Sequence, residues 1–186
     1  MKNFTSILLI VSAAFLAIQC NDDDDPKQAT DPYTACCGLD SVEFIVGNAR
    51  LYVPNAFTPN DDGINDLFFP FFNDKVSKIE LFQISSDELG TMYLALEVDK
   101  QNPLASAWNG IDADGKKYAG QFFYAMTVID DAGFLRTFSG LACSVLCDSF
   151  ATVFQTKTGC FYPAQSDGHG GLDTNLPTLE DDCFGN

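Results

Sequence analysis

Basic residues are scarce in this chain: 10 Lys and Arg stand against 26 Asp and Glu over 186 residues, a net charge of −16. So acidic a surface repels phosphate backbones, and no stretch interleaves basic with aromatic residues, which excludes nucleic acid as a partner. Histidine is limited to His169, in the glycine-rich stretch Asp167-Gly168-His169-Gly170-Gly171. That stretch reads as a surface loop with no nucleophile elbow nearby, so a Ser-His-Asp triad has no frame to stand on. GxGxxG, P-loop and HExxH patterns are absent, and with them the usual routes to nucleotide binding and zinc proteolysis. Carboxylate pairs suited to glycoside hydrolysis are too numerous for any one to stand out. The expectation is a protein without an active site.

Long apolar runs are also lacking, with one exception, residues 4–18, which follow Met1-Lys2-Asn3 and end at Gln19-Cys20. A short basic head before a greasy segment is the layout of a secretory signal. A membrane span needs about 20 apolar residues, and this run stops short at Gln, Cys and the acidic stretch Asn21-Asp22-Asp23-Asp24-Asp25. The segment Leu16-Ala17-Ile18-Gln19-Cys20 resembles a bacterial lipobox, which implies that Cys20 carries lipid and becomes the mature N-terminus, anchored to the outer membrane. The alternative is an ordinary cleaved signal that leaves Cys20 a free thiol. The polar stretch after it reads as a flexible tether. Its Asp run is similar to the acidic signal that directs lipoproteins of the Bacteroidota to the exterior face of the outer membrane; as plain chemistry it is a solvated spacer. Removing residues 1–19 takes Lys2 away and leaves 9 Lys and Arg against 26 acids, or −17. Calcium or a basic protein surface is compatible with that charge.

Seven cysteines are present, and if Cys20 is lipidated the other six form an even set in an exported chain: Cys36, Cys37, Cys143, Cys147, Cys160 and Cys183. That is the arithmetic of a disulfide framework. Fifteen pairings exist for six cysteines, and sequence does not choose among them. Adjacent Cys36 and Cys37 would close a strained ring together, so each is expected to reach a distant partner and tie the start of the domain to the C-terminal segment. A zinc site at Cys143-x-x-x-Cys147 is disfavoured by the lone His and the missing CxxC pair.

No segment keeps a long helical period. Short apolar runs divided by Gly, Asn and Asp clusters predict strands at 42–46, 50–53, 78–84, 92–98, 121–129 and 134–141. Asp130-Asp131-Ala132-Gly133 joins the last two as a hairpin, and Asp114-Gly115 marks another turn. This spacing predicts an all-β antiparallel sandwich. Residues 152–155 read as a further strand, and 166–178 as an irregular stretch held by Cys160 and Cys183.

The most informative stretch is Val53-Pro54-Asn55-Ala56-Phe57-Thr58-Pro59-Asn60-Asp61-Asp62-Gly63-Ile64-Asn65-Asp66. It resembles the opening motif of the gliding-motility-associated C-terminal domain of Bacteroidota, the type B sorting domain of the type IX secretion system, in which Gly is usual where Asp61 stands. A second match joins Trp108-Asn109-Gly110, Gly115 and Ala119-Gly120-Gln121-Phe122-Phe123-Tyr124. Together they cover about residues 51–143 and imply an immunoglobulin-like sandwich. Family domains end the protein with a short closing strand, whereas here 43 residues with three cysteines follow Cys143.

Chemistry gives these residues work of its own. Pro54 and Pro59 fix φ and withhold ladder donors, so the chain leaves a strand at Val53 and crosses the end of the sandwich with Phe57 as a plug. Trp108 is expected to anchor a loop, and Gly120 to admit close backbone approach. Asn60, Asp62, Asn65 and Asp66 suit Asx-turns, with Gly63 supplying positive φ. The same loop offers hard oxygen ligands from Asn60, Asp61, Asp62, Asn65 and Asp66, a candidate calcium set. It is not an EF-hand, since the twelfth position from Asn60 is Phe71 and not Glu. The structural turn is the favoured reading.

The sequence thus divides into a signal peptide (1–19), a lipidated acidic tether (20–35), an immunoglobulin-like β-sandwich (36–147) and a Cys-containing C-terminal extension (148–186). The expected function is a non-catalytic, surface-exposed scaffold or docking lipoprotein of an outer-membrane secretion, gliding or nutrient-uptake complex, its partner an outer-membrane barrel or surface protein. Two alternatives differ in class. One is a type IX secretion substrate carrying a sorting domain. The other is a carbohydrate-binding accessory lipoprotein, which needs exposed aromatics such as Trp108.

Overall fold

A computed structural model describes residues 31–38 and 40–184; the expected signal peptide, Cys20 and the expected tether up to residue 30 lie outside the described residues. A compact unit begins at Asp31. Residues 31–35, read as the end of the tether, pack on the domain, with Tyr33 fully buried.

Among the described residues eight strands form two sheets that bury a common core. They are β1 (Glu43–Val46), β2 (Ala49–Tyr52), β3 (Ala56–Phe57), β4 (Phe71–Phe72), β5 (Val76–Ser85), β6 (Met92–Leu96), β7 (Gly120–Asp130) and β8 (Leu135–Ser144). One sheet has the order β1-β2-β4 and the other β3-β8-β7-β5-β6. Every pairing is antiparallel except the short β3 against β8. In β7 buried residues alternate strictly with half-buried ones, because successive side chains of a strand point to opposite faces. Phe122, Tyr124, Met126 and Val128 thereby meet Leu51 and Val46 of the smaller sheet in one apolar cluster.

The β7–β8 hairpin forms where predicted, and Asp130 explains why it turns there. Its Oδ1 accepts hydrogen bonds from the backbone N–H of Ala132 (2.9 Å) and Phe134 (2.8 Å). Its Oδ2 reaches the N–H of Asn48 in the β1–β2 turn (3.4 Å), so one buried carboxylate ties two hairpin tips.

Among the described residues helical structure is limited to 3-10 turns at Pro103–Ser106, Ala151–Gln155 and Pro163–Gln165 and one α-helical turn at Asp181–Phe184. Among the described residues no helix is long and apolar enough to cross a membrane. The strand expected at 152–155 is therefore a correction. Asp148 Oδ1 accepts the N–H of Phe150 (2.9 Å) and starts a turn. Ala151 and Phe154, three apart, then bury one face, a period that suits a 3-10 helix and not a strand.

Three disulfides close the fold: Cys36–Cys143, Cys37–Cys160 and Cys147–Cys183. The adjacent cysteines do reach separate partners. Around the bridges lies a second apolar cluster, in which Tyr33, Ala56, Val145, Phe154, Tyr162 and Phe184 pack together. In the chain-entropy picture a loop of the 107, 123 or 36 residues closed here removes about 4 kcal/mol or more of unfolded-state freedom.

Phe57 is fully buried and its ring meets Phe68, Trp108 and Phe122 at centroid distances of 5.5–5.9 Å. Phe57→Ala is expected to lower unfolding free energy in urea by about 3–5 kcal/mol, while Phe134→Ala, at a residue 64% exposed, stays within about 0.5 kcal/mol. Equal losses would show that Phe57 is not the plug described.

Candidate functional site

The 53–66 motif is where the two sheets and the C-terminal segment meet. β2 ends at Tyr52 in one sheet and β3 begins at Ala56 in the other, so Val53, Pro54 and Asn55 form the crossing. Pro54 has no N–H to satisfy, and buried Asn55 carries the polar contacts. Its amide donates to the carbonyl of Gly159 (2.8 Å) and accepts from the N–H of Phe161 (2.7 Å). Its backbone N–H donates to the Phe161 carbonyl (3.1 Å), and its own carbonyl accepts from Cys143 (2.9 Å). The crossing is therefore bonded both to β8 and to the extension around Cys160.

Beyond Phe57, the N–H of Thr58 donates to the carbonyl of Asn65 (3.0 Å) and closes the loop between them. Three of its residues have positive φ: Asp61 (67°), Gly63 (88°) and Asn65 (50°). Gly63 was foreseen; Asp61 was not. Asp and Asn tolerate that region better than other L-residues because a short polar side chain can bond the local backbone. Asp66 shows how: its two carboxylate oxygens accept the N–H groups of Asp61 and Gly63, each at 2.6 Å. Asp62 Oδ1 accepts from Ile64 (2.7 Å), and Asn60 Oδ1 from Asp62 (3.2 Å). Lys117 pairs with Asp61 at 2.9 Å.

Asn65 turns the other way. Its Oδ1 accepts the N–H of Ala164 (2.7 Å) and its Nδ2 donates to the carbonyl of Thr178 (2.8 Å) and to Oε1 of Glu180. The Thr58 hydroxyl donates to that same Glu180 oxygen (2.5 Å). Of the five residues considered for calcium, four hold the loop's own backbone or a lysine, and the fifth holds the tail. Among the described residues no group of three or more His, Cys, Asp or Glu is placed to hold a metal.

The extension is thus more than the irregular stretch expected between Cys160 and Cys183. Its 166–172 turn is closed by Asp167, whose Oδ1 accepts from His169 (2.7 Å) and Gly171 (2.8 Å). Although burial pushes the Asp167 carboxyl up, those N–H groups and the Arg50 guanidinium outweigh it and hold the group below its usual range. His169 itself is exposed, as a surface loop requires. Trp108 holds its loop from within the core and is not the exposed aromatic that the carbohydrate-binding alternative needs: it is 3% exposed and its Nε1 donates to the Ile111 carbonyl (2.7 Å). It offers no platform for a sugar. Gly120 has φ 106° and lies under Pro32, whose carbonyl oxygen stands 3.0 Å from where a Cβ would be.

Sequence reasoning missed Asn55, Thr58 and Glu180. The first two lie inside the quoted motif and are polar residues between apolar neighbours, a signal that was there to read. Glu180 has no local signal, because its partners are more than a hundred residues away.

Glu180 is 1% exposed, and loss of hydration raises its pKa to about 7, against the lowering effect of the Thr58 and Asn65 hydrogen bonds and with a further push from Asp62 and Asp66. The Tyr162 hydroxyl, buried without a hydrogen-bond partner, is pushed up by burial and then by the Glu180 charge. With a folded pKa above its ordinary value of 4.5, Glu180 contributes stability that is fully present below pH 4.5 and is lost as pH rises through 7. Glu180→Gln should therefore keep, between pH 5 and 8, about 2–3 kcal/mol that the native chain loses in denaturant titrations with disulfides intact. Parallel pH profiles would contradict it.

No protein-family model, curated protein or solved structure matches this chain.

Proposed function

We propose that this chain is a lipoprotein of the outer membrane, anchored through Cys20 and displaying an immunoglobulin-like sandwich at the cell exterior as a non-catalytic docking module. The observation that carries the reading is the cysteine count. Three disulfides use the six cysteines other than Cys20, and bridges of this kind persist in oxidising compartments outside the cytosol. Cys20, at the end of the apolar run in a lipobox-like setting, is left for lipid.

The docking role is supported by how the 53–66 motif is used. In the family it resembles, the motif opens a domain that ends the protein; here its Asn55, Thr58 and Asn65 hold a further segment of the same chain. A fixed, disulfide-closed surface suits a scaffold whose partner is an outer-membrane barrel or surface protein of a secretion, gliding or uptake complex.

Cells expressing the native chain should incorporate radiolabelled fatty acid into it and retain it in the membrane fraction. Cys20→Ser should lose the label and shift the protein to the soluble fraction. An unlabelled native chain would overturn the anchoring.

A further inference from the structure

Beside the motif loop lies a groove of about 280 Å³, lined by Gly63, Asn65, Asp66, Leu67, Phe69, Leu104 and Pro163. Three elements build it: the loop, the 3-10 turn that carries Leu104, and the extension that carries Pro163. Leu104 is 57% exposed and Ile64, next to Gly63, is 37% exposed. Single exposed apolar residues are ordinary on a surface, but here Leu67, Phe69, Leu104 and Pro163 wall one concavity with room for a large side chain.

The loop beside it is acidic. Among the described residues Asp62 and Asp66 pair with no Lys or Arg, whereas Asp61 two residues before Gly63 has Lys117. Both carboxylates are already oriented: Asp66 by the N–H groups of Asp61 and Gly63, Asp62 by that of Ile64. Their field is felt behind the loop, where it adds to the upward push on Glu180. Charges fixed in place and lacking a counter-ion select a cation at little cost in ordering.

From this apolar groove with acidic neighbours, we propose a docking site for a peptide segment of a partner protein that carries one large apolar side chain flanked by Lys or Arg. The apolar residue enters between Leu104 and Pro163, and the flanking cations meet Asp62 and Asp66. The site goes with the docking role above and names the face that performs it. A partner of this kind complements a chain whose own net charge is −16.

The test uses the full lipidated chain in neutral detergent and a fluorescein-labelled Lys-Lys-Phe-Lys-Lys peptide, followed by anisotropy. Saturable binding is expected, weakened by about tenfold or more in Leu104→Lys and by no more than about twofold in Leu89→Lys, an equal charge change at a residue 96% exposed on another loop. Asp62→Asn, at an exposed position, should weaken binding while the variant stays folded by circular dichroism. A peptide with Gly for Phe should bind more weakly at the same charge. Equal effects of the two Lys variants, equal binding of the Gly peptide, or no saturation would overturn the site. Cys20→Ser should bind the peptide as the native chain does, so a failed anchor and a failed groove are told apart.

Discussion

A carboxylate taken out of water needs donors, and Glu180 finds two, the hydroxyl of Thr58 and the amide of Asn65. Both belong to the loop that follows the crossing between the sheets. Thr58 is fully buried and Asn65 nearly so, and an unpaired donor at either place would itself be penalised. The contact therefore binds from both sides: the loop needs the tail as much as the tail needs the loop. Asn65 adds bonds to Ala164 and Thr178, and Asn55 adds bonds to Gly159 and Phe161, so the extension is held along its length and not only at its bridges.

The disulfides make this arrangement affordable in entropy. Cys37–Cys160 brings residues 159–161 next to Asn55, and Cys147–Cys183 brings the helical turn at Asp181–Phe184 next to Ala151–Gln155. Phe154, Tyr162 and Phe184 then pack ring on ring at 5.5 and 5.9 Å. Few of these contacts are local in sequence. The bridges shorten the search by constraining the unfolded chain, and the polar seat and aromatic cluster select one docked geometry once it is reached.

How much of this was legible follows from length and locality. β5, β7 and β8 are 10–11 residues long, enough for apolar runs and turn residues to mark them. β3 and β4, two residues each, are too short to show a period, and their existence depends on β8 and β2 as neighbours. Thr152 to Gln155 looked like a strand because apolar content alone does not separate a period of two from a period of three in so short a run. The loop's Asx chemistry was readable from Asn60, Asp62 and Asp66, since the partners lie within five residues. Glu180 was not, because its partners Thr58 and Asn65 lie more than a hundred residues away.

The account depends on the motif's Thr58 and the tail's Glu180 acting as one unit, and a double-mutant cycle with Thr58→Val and Glu180→Met measures that directly. Each single change leaves a buried polar group without its partner, while the double change removes both. The predicted result is a double variant more stable than the summed singles by about 0.5–3 kcal/mol in urea titrations. Additivity to within about 0.5 kcal/mol would mean that the motif and the tail merely lie side by side.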